Sequence, residues 1–397
     1  MTDSPSRRRL VALAATLLVA SGQAGAAEPD PIPQTEQSDV LTLPPPGPHR
    51  LLVTDAVYNH AKDGRAYLVD GDSARMLGMM PAAYNANIVA DPKGGHYYVA
   101  ETIWTRGNRG TRQDLLSIYD AHTLALSDEI SLPGRALITT KRQDADISAD
   151  GHWVYVYNMT PSNSVIMVDT ITKKVVASVP VPGCGLAFAW GDHGFASLCA
   201  NGALASVDVA DPAHPKLVRG KPFFAPEKDP VFEQSPTDRA TGRTFFISYG
   251  GMVTPATLGP TPTLEAPWSI NEAAKQARAP GGDTPFAVAW RPGGWQIAAY
   301  RHSDAHLFVL MHEGQYWTHK ADGTEVWELD TATHALVRRI RLPAPSDMVG
   351  ITQDAKPLLI SSSDSGALFL LDPQSGAVLR QIRKLGDNLI FASAPGE

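Results

Sequence analysis

Six stretches of this 397-residue chain share one pattern: an alternating strand, an aspartate, a short turn and a second strand. They are AYLVDGDSARMLGMM, LLSIYDAHTLALSDEISLP, VIMVDTITKKVVASVPVP, ALASVDVADPAHPKLV, EVWELDTATHALVRRIRLP and LFLLDPQSGAVLRQI. The aspartates are Asp70, Asp120, Asp169, Asp208, Asp330 and Asp372, separated by 50, 49, 39, 122 and 42 residues. The long interval leaves room for one more unit with a worn marker, near Arg243 to Leu264. Ahead of marked hairpins lie further strand–turn–strand stretches, such as IVADPKGGHYYVAE, DISADGHWVYVYN, SPTDRATGRTFFISY and ITQDAKPLLISSS. Each unit therefore holds four short strands, and a period near 40–50 residues is that of a propeller blade. The fold class expected is all-β: a seven-bladed β-propeller over residues 49–395. Seven similar units are too many for the rival fold, a β-sandwich.

Six aspartates at equivalent positions are scaffolding rather than catalysts. A carboxylate just after a strand accepts backbone N–H bonds in the following turn. HRLLVTD, His49 to Asp55, precedes the first full hairpin and is expected to pair with the C-terminal blade and close the ring. Pro44-Pro45-Pro46 ends a polar N-terminal arm, residues 27–48, expected to be loosely held. One short inserted helix is expected after Trp268, where Ser269 and Glu272 form a capping box and Pro280-Gly281-Gly282 ends the segment.

The first 26 residues read as a secretory signal. Arg7, Arg8 and Arg9 form a basic start, Leu10 to Ala20 an apolar run, and Ala24-Gly25-Ala26 a cleavage site. The apolar run is shorter than the ~20 residues that a membrane anchor needs. Ser6-Arg7-Arg8-Arg9-Leu10 also resembles a twin-arginine signal, so the export route stays open. Export to the periplasm bears on Cys184 and Cys199, the only two cysteines. In an oxidising compartment such a pair forms a stable disulfide. Gly191-Asp192-His193-Gly194 between them is turn-forming, with apolar runs on both sides, and reads as a hairpin that brings the ends together. Two cysteines do not complete a structural zinc site.

Without residues 1–26 the chain keeps 31 basic and 40 acidic residues, a net charge of −9. Nucleic-acid binding, which is dominated by Lys and Arg contacts to phosphate, is disfavoured. Standard chemistry is absent from the sequence. There is no G-x-S-x-G elbow or H-E-x-x-H, no C-x-x-C-H, and no Walker or dinucleotide fingerprint. His302 and His306 stand four apart, but RHSDAHLFVLM reads as a turn entering a strand, so they need not converge on a metal. The loop QYWTHKADG carries Tyr316, Trp317, His319 and Lys320, aromatic residues beside charge, which suits a contact with a partner.

An exported propeller without catalytic groups of its own suggests a scaffold. The chain resembles the heavy subunits of the quinoprotein amine dehydrogenases, the methylamine and aromatic amine dehydrogenases. The resemblance runs from about Leu51 to Asp387. It rests on the order and spacing of DAVYNHAKDGRAYLVDG, LGMMPAAYN, TRGNRGTRQDLLSIYD, the Cys184–Cys199 pair, APWSINEAAKQA, WRPGGWQIAAYRH, LFVLMHEGQYWTHKADGTEVWELDT and QDAKPLL. The resemblance implies a heterotetramer of two heavy and two light chains. It implies tryptophan tryptophylquinone, built from two tryptophans of the light subunit, as the cofactor, with none in this chain. There a primary amine attacks the quinone and a light-chain carboxylate removes the α-proton. Aldehyde and ammonia leave, and electrons pass to an amicyanin- or azurin-like blue-copper protein.

The family places a phenylalanine at the mouth of the substrate channel, where DAVYNH puts Tyr58. That departure leaves substrate preference open. A plain packing aromatic is the structural alternative for Tyr58. LGMMPAAYN and APWSINEAAKQA stand closer to the aromatic amine branch, so aromatic or aralkyl amines are slightly favoured over methylamine. Two other readings remain at this point: a stand-alone periplasmic propeller that binds a ligand or partner, and a propeller enzyme such as a lactonase or a pyrroloquinoline quinone dehydrogenase. The former predicts a stable monomer, and the latter a central acidic or metal-binding cluster active without a partner.

Overall fold

A computed structural model describes residues 41–138 and 140–396. The signal segment 1–26 and the first part of the arm, 27–40, lie outside the described residues. The described chain forms seven antiparallel sheets, the seven blades of a β-propeller. Blade 1 contains Arg50–Asp55, Arg65–Asp70 and Arg75–Pro81, with Leu389–Ser393 as its innermost strand. Blades 2 to 4 begin with inner strands Tyr84–Ala90, Ala145–Ile147 and Cys184–Trp190. Blade 5 begins at Thr237–Asp238, blade 6 at Ala289–Pro292 and Ala298–Arg301, and blade 7 at Val349–Ile351.

Ring closure differs in detail from expectation. Arg50–Asp55 does pair with C-terminal residues, Val53 opposite Ala392 and Thr54 opposite Phe391. However, the C-terminal strand joins blade 1 instead of the first strand joining blade 7. The unit without a marker lies where the long interval placed it: Arg243–Ile247 and Met252–Thr257 are the middle strands of blade 5.

The core is seven cores, each between neighbouring blades. Period-2 alternation explains them, because both faces of a blade are covered. In blade 1, Leu51 and Val53 pack toward Ile360 and Leu368 of blade 7. Leu52, one position between them, packs toward Tyr97 and Val99 of blade 2. Each fully buried side chain of this size is worth about 1.5–3 kcal/mol.

All six marker aspartates cap the turn that follows them. Asp120 Oδ1 accepts from the His122 and Thr123 amides at 2.9 and 2.8 Å, and Asp372 from the Gln374 amide at 2.9 Å. Asp70, Asp169, Asp208 and Asp330 make the same bond to the residue two ahead. These turns lie at one end of the propeller, and the loops between the second and third strands of each blade lie at the other.

Two expectations need correction. The inserted helix is a single turn, Ile270–Ala273. Ser269 caps it by accepting from the Glu272 amide at 3.3 Å, but Lys275 adopts φ +57°, which ends the helix well before Pro280. The end of the arm is not loose: the Leu43 amide donates to His122 O at 2.6 Å, Leu43 packs against the core between blades 1 and 2, and Arg50 Nη2 donates to Pro44 O. Among the described residues no helix is long and apolar enough to cross a membrane.

Candidate functional site

Tyr58 lies in the loop between the second and third strands of blade 1, at the end of the propeller away from the marker turns. Its backbone is fixed. Buried Asp55 accepts from the amides of Val57, Asp387 and Asn388 at 3.1, 2.9 and 2.8 Å, and the Tyr58 amide donates to Asn388 Oδ1 at 2.9 Å. Its side chain is not enclosed. The residue is 38% exposed, and its ring lies 5.7 Å from the Trp295 ring. Burial of the hydroxyl side raises the phenol above its ordinary pKa, and the Asp347 carboxylate adds to this.

Trp295 interrupts the inner side of blade 6. Ala289–Pro292 and Ala298–Arg301 both pair with His306–Gly314, and Gly293-Gly294-Trp295-Gln296 loops out between them. Gly294 has φ +110°, and a Cβ there would stand 2.6 Å from Asp347 O. Only glycine permits this approach. The Trp295 amide then donates to that same carbonyl at 2.7 Å, which fixes the indole beside Tyr58.

Of the four residues in QYWTHKADG, two join this face. Lys320 Nζ lies 4.3 Å from the Trp295 ring centroid and 3.5 Å from Glu233. His319 stacks on Tyr249 at 4.0 Å. Burial pulls the Lys320 ammonium below its ordinary pKa, with Glu233 only partly offsetting it. Burial alone would raise Glu233, but Lys141 and Lys320 outweigh it and hold the carboxyl low.

Tyr316 is a correction. It is fully buried, its hydroxyl donates to Lys228 O and its face meets the Arg291 guanidinium at 5.5 Å. It is a packing residue, not a surface contact. Trp317 is 59% exposed and rests edge-on against Tyr316 at 4.6 Å. The Tyr316 amide donates to Pro285 O at 3.1 Å, so the loop with Trp317 is tied to the one with exposed Phe286 and Val288.

Sequence reasoning missed the acidic part of this face. Carboxylate oxygens of Asp322, Asp347 and Asp364 lie within 4.8 Å of one another. Partial burial and the two neighbouring carboxylates push Asp322 up to about 8. The three come from two different blades and are far apart in sequence, so spacing carried no signal. His302 and His306 do not converge: His302 stacks on Tyr300 at 5.4 Å, and His306 Nδ1 meets Glu328 at 2.7 Å.

Cys184 and Cys199 stand directly opposite each other in the blade 4 hairpin, and their sulfurs are bonded. Arg219 Nη1 lies 3.0 Å from Cys184 Sγ.

The tryptophan rings in contact among the described residues are Trp290 and Trp327, 5.4 Å apart. Trp327 is fully buried and Arg339 covers both rings. This pair does not fit a tryptophan-derived quinone open to substrate.

Seven blades that carry a polar-aromatic face of Tyr58, Trp295, Lys320 and His319 place the chain in the class of seven-bladed propeller proteins. The family model "Methylamine dehydrogenase heavy chain (MADH)" matches residues 48–393, and the chain belongs to that family. It is 28% identical to the methylamine dehydrogenase heavy chain of Methylobacillus flagellatus, over 97% of each chain. It is 28% identical to that of Paracoccus versutus, over 89% of this chain and 81% of the relative. Among solved structures, a putative 6-phosphogluconolactonase from Bacteroides uniformis aligns with a TM-score of 0.58 at 10% identity, over 86% of this chain and 98% of that one. The dihydro-heme d1 dehydrogenase NirN aligns with a TM-score of 0.53 at 15% identity, over 89% and 67%. These last two likenesses concern the fold alone.

Proposed function

We propose that this chain is the heavy subunit of a periplasmic amine dehydrogenase, that it scaffolds a light subunit bearing tryptophan tryptophylquinone, and that Tyr58 lines the substrate channel between them. The observation that carries the channel role is the contrast at Tyr58: a backbone held by Asn388 under a half-exposed ring set against Trp295. A packing aromatic would be enclosed. Loops held by a rigid scaffold are where binding residues concentrate.

The assembly is two heavy and two light chains. Trp317, with Phe286 and Val288 on the neighbouring loop, offers the light subunit an apolar contact rimmed by Lys320 and His319, and aromatic anchors of this kind dominate interface energy. Substrates are primary amines, oxidised to aldehyde and ammonia. When present on the light subunit, the quinone accepts the electrons of the amine, and an amicyanin- or azurin-like blue-copper protein takes them onward. Aromatic or aralkyl amines are favoured by LGMMPAAYN and APWSINEAAKQA, whereas the relatives are named for methylamine. Comparing kcat/KM for methylamine and phenylethylamine in the assembled enzyme decides the preference. A higher value for methylamine would overturn the aromatic assignment and leave the subunit assignment standing.

A further inference from the structure

The second and third strands of blade 2, His96–Arg106 and Arg109–Asp120, are 11 and 12 residues long, against 7 and 6 for the first and fourth. The flanking strands stop beside Thr102 on one side and Leu115 on the other. Beyond that level the two long strands run on alone, with Trp104 opposite Arg112 and Arg106 opposite Arg109. They form a ribbon that reaches about 13 Å past the blade, at ~3.3 Å per residue. Its tip is a loop between second and third strands, so it rises at the Tyr58 end. It is tied to the Tyr58 loop: Lys62 Nζ donates to Asn108 O at 3.1 Å and lies 3.8 Å from the Trp104 ring centroid. A two-stranded hairpin alone is marginal in water, but this one is braced. Tyr84 meets Trp104 edge-on at 5.7 Å. Gly110 takes φ +97°, where a Cβ would collide with Thr105 Oγ1, and that oxygen accepts from the Thr111 amide at 3.1 Å.

The charge of the ribbon is the reverse of the chain's. Residues 102–113, TIWTRGNRGTRQ, carry Arg106, Arg109 and Arg112 and no carboxylate, in a chain with 31 basic and 40 acidic residues beyond residue 26. Arg112 is paired with Asp114 through Nε and Nη2 at 2.9 and 2.7 Å. Arg106 and Arg109 are exposed and make no ion pair or side-chain hydrogen bond among the described residues. From Thr105 to Gln113 every residue is exposed and none is a large apolar one. These features select the kind of partner. A permanent interface has a core from which charge is depleted, which Trp317, Phe286 and Val288 offer and the ribbon tip does not. Exposed cations on a rigid projection speed encounter with an anionic surface more than they add lasting affinity. On the reading of this chain as a heavy subunit, the protein that must come and go at the Tyr58 end is the one that carries electrons away.

We propose that this ribbon is a docking arm for the electron acceptor, a soluble blue-copper protein with an acidic patch, which Arg106 and Arg109 steer to the Tyr58 end. The proposal rests on the heavy-subunit reading. It gives the propeller a part in electron delivery that is separate from the apolar contact offered to the light subunit.

The test compares acceptors in the assembled enzyme oxidising a primary amine: amicyanin and azurin as protein acceptors, and a small uncharged dye. With the better protein acceptor, kcat/KM should fall at least about tenfold between about 20 mM and 200 mM salt, as charge steering does. Arg106→Glu with Arg109→Glu should lower it at least about tenfold at the lower salt, remove most of the salt dependence, and leave both the dye reaction and assembly with the light subunit unchanged. Arg106→Gln with Arg109→Gln should give an intermediate loss, and decides the matter if the reversed pair does not fold. Four results would overturn the proposal: no reduction of either blue-copper protein, an unchanged protein-acceptor value in both variants, an equal loss with the dye, or weakened assembly, which would make the ribbon a light-subunit contact. Absence of turnover with the dye in the unaltered complex would overturn the heavy-subunit reading, and the proposal with it.

Discussion

The Tyr58 ring lies 5.7 Å from the ring of Trp295, and the two come from blades 1 and 6. Asp55 and Asn388 hold one, and the close approach of Gly294 to Asp347 holds the other. An aromatic pair of this kind contributes about 0.5–1.5 kcal/mol beyond its buried area. Tyr58→Ala should therefore cost about 1.5 kcal/mol or less, against ~3–5 kcal/mol for truncating a core aromatic. In the assembled enzyme the same change should shift the ratio of kcat/KM for small and bulky amines by about tenfold or more. Denaturant unfolding and paired kinetics on one variant check both. A large loss of stability with unchanged preference would return Tyr58 to a packing role.

Trp317 is exposed beside Phe286 on the proposed partner surface, and its removal should leave the propeller intact. Trp317→Asp should weaken association with the light subunit by about 2 kcal/mol or more, as at an interface hot spot. The melting temperature of the heavy chain alone should stay within error. Analytical ultracentrifugation of the mixed subunits measures the first quantity. Unaltered assembly would place the light subunit elsewhere.

The disulfide closes a loop of 16 residues counting both cysteines, for which chain entropy gives ~3 kcal/mol. Cys184→Ser with Cys199→Ser should lower stability by that amount or less, because the hairpin register is already fixed by strand pairing. Mass spectrometry of unreduced peptides from the exported protein should find the two residues joined. Two free thiols there would refute the pairing.

Crowding of Asp322, Asp347 and Asp364 gives a pH dependence of definite sign. Asp322 is raised to about 8, so between the ordinary carboxyl range and that value the folded chain holds a proton that the unfolded chain has released. Stability must then fall as pH rises through this window. Asp322→Asn removes one of the repelling charges. It should stabilise the protein by about 1 kcal/mol near pH 8, a modest figure because solvent screens partly exposed charges, and should flatten the decline. Chemical denaturation at pH 5 and pH 8 separates the variants. An identical slope in both would dismiss the proton held at Asp322.

The marker Asp120 acts in the opposite sense. The turn amides and hydroxyl of Thr123 and the amide of His122 hold Asp120 below the ordinary carboxyl range, so its contribution is present at neutral pH and lost as pH falls through that lowered value. Asp120→Ala should cost about 1 kcal/mol at pH 7, and Asp120→Asn, which keeps an acceptor oxygen, should recover most of it.

The blades were legible because their signal is local. Alternation and the turn aspartates each lie within one hairpin, and a spacing of 39 to 50 residues recurs between neighbouring markers except Asp208 and Asp330. Blade 5 was legible from its inner hairpin SPTDRATGRTFFISY and from the long interval, but not from a marker. Its third strand ends at Thr257, with no aspartate, and Pro255 stands inside it. The functional face was less legible because it is assembled from loops of several blades. Tyr58 and Lys320 could be singled out from their own neighbourhoods, but their common contact Trp295 could not. The signal for it was Pro292-Gly293-Gly294, whose glycines allow the inner strand of blade 6 to loop out. Tyr316 was misread because burial in a loop depends on what lies beneath it, here Arg291 and the Lys228 carbonyl.

The most direct test of the central claim, that this chain supports amine oxidation without performing it, is an activity assay on the subunit with and without its partner. The heavy chain is purified alone and again after co-expression with a tryptophylquinone-bearing light subunit. Both are assayed with primary amines and an artificial electron acceptor. We expect no turnover and no quinone absorbance from the chain alone, and both from the assembled complex. Amine turnover by the isolated chain would contradict the account.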